Sequence, residues 1–190
     1  SYAGSLWNMT SPGCTSPSKK PATALVAMIS EPRWVGRSSP CRQRGTEAAA
    51  SCAVVANLGN EHTLAYHLHG PTILGVLEHH THVLSPDKLE EHLEDLVGGS
   101  LDGEAIWKEQ GHGAVVVEGG ETLKFLSVIG PMRGILQGSH LEPYFAMPHG
   151  SMMMAGSFGL VRAWAEHNPS AHEEIISALS AIGESLGHHH

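Results

Sequence analysis

Residues 52–83 read CAVVANLGNEHTLAYHLHGPTILGVLEHHTHV, and no other part of the chain restricts the fold so tightly. The runs CAVVAN, HTLAYHL and TILGVLE have strand length and β-branched or alternating character. Leu58-Gly59-Asn60-Glu61 forms a tight polar turn between the first two. Glycine there permits close backbone approach, and turn N–H groups can cradle an anion. The third run leads straight into Glu78-His79-His80-Thr81-His82. Chemistry is expected at these two edges.

Beyond residue 83 the pattern predicts helices and returning strands. Ser85-Pro86-Asp87 supplies an N-cap, a proline suited to the first turn and an acid that complements the helix dipole. Leu89, Leu93, Leu96 and Val97 make one apolar stripe, and Gly98-Gly99 ends it. A short second helix is expected over residues 102–110. Gly111-His112-Gly113 precedes a strand over residues 114–118, and Gly119-Gly120 reads as a hairpin turn into a strand over residues 122–129. A short helical piece comes after Gly130-Pro131-Met132-Arg133-Gly134, and residues 143–150 read as loop. A helix is expected from Ser151 to about His167, with Ser151 as its N-cap. Asn168-Pro169 breaks it, and Ser170-Ala171-His172-Glu173 reads as the capping box of a last helix carrying Ile175, Ile176, Leu179 and Ile182 on one face.

This order describes an α/β domain of ribonuclease-H-like type: three antiparallel strands, then helices and returning strands. Residues 51–187 would form it. Residues 1–50 differ in composition, rich in Ser, Pro, Gly and Lys, and read as an irregular, truncated or non-native segment around one element at ATALVAMIS. The ending His188-His189-His190 reads as a purification tag. Without it, twelve of the fifteen histidines remain.

Charge and cysteines bound the function class. Residues 1–51 hold six Lys/Arg and two acids, whereas the rest holds five Lys/Arg and seventeen acids, giving the net −8. An acidic body excludes a phosphate-backbone surface, so no nucleic-acid partner is expected. No apolar run is long enough for a membrane span. Cys14, Cys41 and Cys52 lack metal-ligand or redox spacing, which points to a reducing, cytoplasmic setting.

Several motifs in order, NLGNEHTLAYHL, GVLEHHT, LSPDKLEEHLEDL, GHGA and HGSMMMAGSFGL, resemble a family whose members carry the label "putative pyruvate formate-lyase activating enzyme" and which is grouped with the actin-like ATPase and sugar-kinase superfamily. The resemblance covers about residues 50–165. It implies the C-terminal lobe of that architecture, with ATP as ligand and a small molecule as partner. Asn57, Gly59, Asn60, His62 and Thr63 would stand at the phosphate loop. Gly130, Met132 and Arg133 would stand on the adenosine side. The superfamily's usual Asp near the phosphate loop is replaced by Asn57, and the lobe that should precede residue 50 has no counterpart. The label also implies a radical enzyme with a cluster-binding cysteine triplet, which these three cysteines do not make.

The residues themselves offer a second chemistry. On an extended segment Glu78, His80 and His82 share one side and His79 takes the other. His80 and His82 would bind a divalent metal, zinc or magnesium, with Glu78 as third ligand or general base. Further ligands would come from His62, His67, His69, His112 or His149. Glycines on both sides of His112 open its backbone to unusual dihedrals, and a general-base role fits it. Three readings therefore stand: a nucleotide- or phosphate-binding lobe with Glu78, His80 and His112 near the reacting centre, a metal-dependent hydrolase of an ester or lactone, and a non-catalytic lobe that self-associates through sheet left bare. A homo-oligomer is the expected state.

Overall fold

A computed structural model describes residues 52–70 and 72–186. The expectations for residues 1–50, the tag and Cys14 and Cys41 lie outside the described residues.

The three apolar runs form strands β1 (Cys52–Leu58), β2 (His62–His69) and β3 (Thr72–His80). They pair antiparallel in sequence order, with Leu58 opposite Thr63 and His62 opposite His80. Helices α1 (Pro86–Gly98) and α2 (Gly103–Lys108) come next, then β4 (Gly113–Val116), β5 (Phe125–Ile129), the two-residue strand β6 (Tyr144–Phe145), α3 (Ala155–His167) and α4 (Pro169–Leu186). The result is a mixed α/β fold on one six-stranded sheet, ordered β4-β3-β2-β1-β5-β6.

Alternation along β1 separates two cores. Cys52, Val54, Ala56 and Leu58 face α1, where Leu89, Leu93, Leu96 and Val97 are all fully buried. Taking each such leucine out of water contributes about 1.5–3 kcal/mol, so this stripe fixes α1 to the sheet. Val55 faces the other way and packs with Leu68, Ala146 and partly buried Phe158 of α3. The ends of α1 are those its residues specify: Ser85 accepts the Lys88 N–H, and Gly99 closes the helix in a left-handed conformation at φ 87°.

The hairpin over Gly119-Gly120 does not form. β4 pairs with β3 on one side of the sheet, whereas β5 crosses to the other and lies parallel to β1. The glycine pair serves another contact: a Cβ on Gly119 would stand 2.3 Å from the Gly99 Cα, so this stretch packs on the end of α1. The free edge of β1 therefore outweighs local turn chemistry.

Smaller departures lie further along. Residues 143–150 contain β6, which pairs parallel with β5, and a 3-10 turn over Pro148–Gly150. Helix α3 begins at Ala155, and the Ser151 N–H instead bonds the Pro148 carbonyl. Helix α4 begins at Pro169, so Ser170 lies inside it and no capping box opens it. The stripe on α4 is graded: Leu179 is buried, Ile175 and Ile176 are partly buried and Ile182 is exposed.

Candidate metal centre at the carboxyl end of the sheet

β1, β3, β5 and β6 all end at the same edge of the sheet, where β2 and β4 begin. This arrangement gathers His62, His80, His82, His112 and both turns singled out in the sequence. The carboxyl ends of parallel strands are where open α/β sheets generally hold ligands.

His62 and His80 are cross-strand partners with ring centroids 5.0 Å apart. His112 arrives from the start of β4, its backbone N–H bonded to the Glu78 carbonyl at 3.0 Å. Its ring stacks on His62 at 4.9 Å and tilts toward His80 at 4.5 Å. One ligand nitrogen from each ring lies within 4.8 Å of the others, a spacing from which small ring rotations reach a shared cation. The Glu78 carboxylate stands 3.4 Å from His62 Nδ1, both side chains about half exposed.

The two glycines beside His112 have distinct jobs. A Cβ on Gly111 would sit 2.6 Å from Ile106 Cγ2 and 2.7 Å from His79 Cδ2, so only glycine fits between α2 and β3. Gly113 takes φ 127°, a conformation that side chains disfavour. His112 is thereby turned toward His80. Burial and the neighbouring His112, His62 and His82 rings push the His80 imidazole below its usual range, which keeps it neutral and able to ligate.

The group with ligand-like spacing, His62, His80 and His112, shares only His80 with the Glu78, His80 and His82 set expected. Strand geometry stops at His80, and His82 lies in a 3-10 turn over Thr81–Val83, where alternation no longer applies. His82 is exposed, its ring 5.5 Å from His80, beside the three-histidine group. Glu78 backs His62. His62 and His112, expected as further ligands, come beside His80 through the cross-strand register of β2 with β3 and the pairing of β4 at Glu78.

The expected phosphate turn is largely satisfied internally. The Gly59 N–H bonds the His62 carbonyl at 2.9 Å, and a Cβ on Gly59 would meet that same oxygen at 2.8 Å. Thr63 is fully buried, and its hydroxyl bonds the Thr81 hydroxyl at 3.0 Å. Asn57 and Asn60 remain exposed. The adenosine-side loop does come to this turn. Gly130, at φ 103°, lies so close to β1 that a Cβ would overlap the Leu58 carbonyl and stand 2.7 Å from Asn57 Oδ1. The Met132 N–H bonds the Leu58 carbonyl, and Arg133 holds Nη1 shielded from solvent with no hydrogen-bond partner among the described residues. His149 is buried elsewhere, its ring edge-on to Phe158 at 4.9 Å.

Two further groups have ligand-like spacing: Cys52, His67 and Glu121 at the opposite edge, and His79, His92 and Glu109 on the α1 face. Cys52 Sγ is 3.5 Å from His67 Nε2. Burial, together with Glu121, holds the thiol protonated, pushed up to about 11.

The fold and site define a mixed α/β protein with a histidine-rich sheet edge. Residues 40–135 match the family described as "Putative pyruvate format-lyase activating enzyme (DUF1786)", and the chain belongs to that family. No curated protein and no solved structure matches the chain. The activity in the family's description would call for a cysteine-bound cluster, and the described residues do not fit one: Cys52 is their one cysteine, buried beside His67. Among the described residues, no helix is long and apolar enough to cross a membrane.

Proposed function

We propose that the chain is a metal-dependent hydrolase of an ester or lactone, centred on His62, His80 and His112. The observation that carries this reading is the convergence of three imidazoles from β2, β3 and the start of β4, with Glu78 behind His62. Three histidines that leave a coordination position open are the donor set of a zinc ion that activates water, lowering its pKa toward about 7. His62, His80 and His112 would hold the cation, and Glu78, 3.4 Å from His62 Nδ1, would favour the proton on that nitrogen and leave Nε2 to ligate. A bound zinc would supply a water of lowered pKa as the nucleophile for an ester carbonyl, and exposed His82, its ring 5.5 Å from His80, would be near enough to exchange a proton with the leaving-group oxygen as the C–O bond breaks.

Tag-free protein loaded with zinc should hydrolyse p-nitrophenyl acetate or a simple lactone above the background rate. Activity should vanish with chelator and with His80→Ala or His112→Ala. Full activity in His112→Ala, or in chelated protein, would sink the reading.

A second reading has its own support. Three antiparallel strands followed by β5 and β6 parallel to β1 support a ribonuclease-H-like half-domain, with β4 added at the edge beside β3. In that reading residues 57–63 would face the phosphates with a magnesium ion and residues 130–133 the adenosine side, and the contact of Gly130 and Met132 with the end of β1 brings the two segments together. The internal bonds of Gly59 and Thr63 count against it. Titration with magnesium and ATP decides: saturable binding weakened by Arg133→Met supports the lobe, and no binding removes it. Exposed Leu160 and Trp164 on α3 favour a self-associating chain, which sedimentation at several concentrations would test.

A further inference from the structure

His79 and His80 are neighbours on β3 but serve opposite faces of the sheet. His80 belongs to the exposed three-histidine group, whereas His79 points into the α1 layer and is 1% exposed. Its ring stacks on His92 of α1 at 5.8 Å, and His92 is itself 3% exposed. The third member is Glu109, the residue just after α2. One ligand atom from each of the three lies within 4.8 Å of the others.

The hydrogen bonds define what each nitrogen can do. His79 Nδ1 stands 3.2 Å from the His80 carbonyl oxygen. A carbonyl only accepts, so Nδ1 carries the proton and Nε2 presents a lone pair. That Nε2 is buried and has no hydrogen-bond partner among the described residues. A shielded, unpaired polar atom in a packed interior is costly, and native interiors rarely keep one without a reason. An imidazole whose Nδ1–H is fixed by a backbone carbonyl and whose Nε2 is bare is the arrangement of a metal-ligating histidine. Opposite it, His92 Nε2 is 3.1 Å from Glu109 Oε2, and Lys88 Nζ is 3.1 Å from Glu109 Oε1.

We propose that His79, His92 and Glu109 form a second, structural metal site, which takes a zinc-like divalent cation and clamps α1 and α2 to the end of β3. Two imidazole nitrogens and one carboxylate oxygen are a zinc-type set rather than a calcium or magnesium set, which would be oxygen-rich. His92 moves its proton from Nε2 to Nδ1 when the cation takes its place beside Glu109. Lys88 keeps its contact with the other carboxylate oxygen and steadies it. The site shares no ligand with His62, His80 and His112, so it stands or falls independently of the hydrolase reading.

The test uses the full chain without its terminal histidines, carrying His62→Ala, His80→Ala and His112→Ala to silence the exposed group. After dialysis against zinc, mass spectrometry should find about one bound equivalent. Cobalt titration should show visible absorption of low-symmetry coordination. Adding Glu109→Gln, which keeps the side chain's shape, should weaken cobalt binding by at least about ten-fold. The melting temperature of the triple variant should also rise with the logarithm of zinc concentration, a readout that does not depend on how Glu109→Gln folds. A triple variant that holds no zinc, or a melting temperature indifferent to zinc, overturns the proposal.

Discussion

His62 and His80 face each other across β2 and β3, the last pair of their ladder, with ring centroids 5.0 Å apart. Their separation is set by the β-ladder, so it does not depend on flexible loops. His80→Ala removes the ring that touches His62, His82 and His112 at once. Zinc affinity at the exposed group should fall by more than about 100-fold, read by competition with a chromophoric chelator, while the far-ultraviolet circular dichroism stays unchanged. His82→Ala should change affinity by less than about five-fold, since His82 stands beside the group. These bounds reflect losing a ligand as opposed to a neighbour.

Glu78→Gln is expected to act through His62. The amide cannot hold the imidazole proton as the carboxylate does, so zinc affinity should drop about 10–100-fold with the ligands themselves intact. A matched loss in the Glu78→Gln, His62→Ala double variant, no larger than for His62→Ala alone, would place Glu78 behind His62. Additive losses would contradict it.

Gly111→Ala should destabilise the chain by about 1–3 kcal/mol, because its Cβ would press on Ile106 and His79 at once. Gly134→Ala is the control: no atom lies within 4 Å of the added carbon and its φ is not positive, so the change should be neutral or stabilise by up to about 1 kcal/mol. Urea unfolding of the two variants measures both. Equal effects would mean that the space around Gly111 is not closed.

Burial holds the His67 imidazole below its ordinary 6.5, against the opposing pull of Glu121 and Glu118. The unfolded chain takes up a proton near 6.5 that folded His67 refuses, so stability is complete above that pH and falls as pH drops below it. His140 works the other way. Glu94, ahead of Glu90, raises its pKa, so its contribution is present below 6.5 and is lost as pH rises through the higher folded value. Urea midpoints taken from pH 7.5 to 5 should therefore fall more steeply in His140→Ala than in the parent. His67→Gln should flatten the fall. A parent-like slope in His67→Gln would show that another group carries it.

Much of this protein is legible along the chain. The strands come from period-two runs and the Gly59 turn, and α1 comes with both caps because Ser85, Pro86 and Gly99 act through their own backbone geometry. The importance of the Glu78–His82 stretch, and of the glycines around His112, is also visible. In each case the cause is local: a residue's preferred dihedrals or its alternation along one strand.

Packing accounts for the remainder. Turn chemistry alone would join residues 114–118 and 122–129 by a hairpin, but β5 finds the edge of β1, because parallel pairing there buries Leu126 and Val128 against the α1 layer. That pairing also brings Gly130 against Leu58. The three-histidine group depends on register: His62 is opposite His80 because β2 and β3 pair as they do, and His112 joins them because β4 pairs at Glu78. His79, His92 and Glu109 come from β3, α1 and the end of α2, and no spacing in the sequence links them. Local residue patterns settle which elements form and which residue types line one sheet edge. Which of those side chains meet is settled by the assembled sheet, because strand partners and register answer to total burial across the fold and not to any one segment.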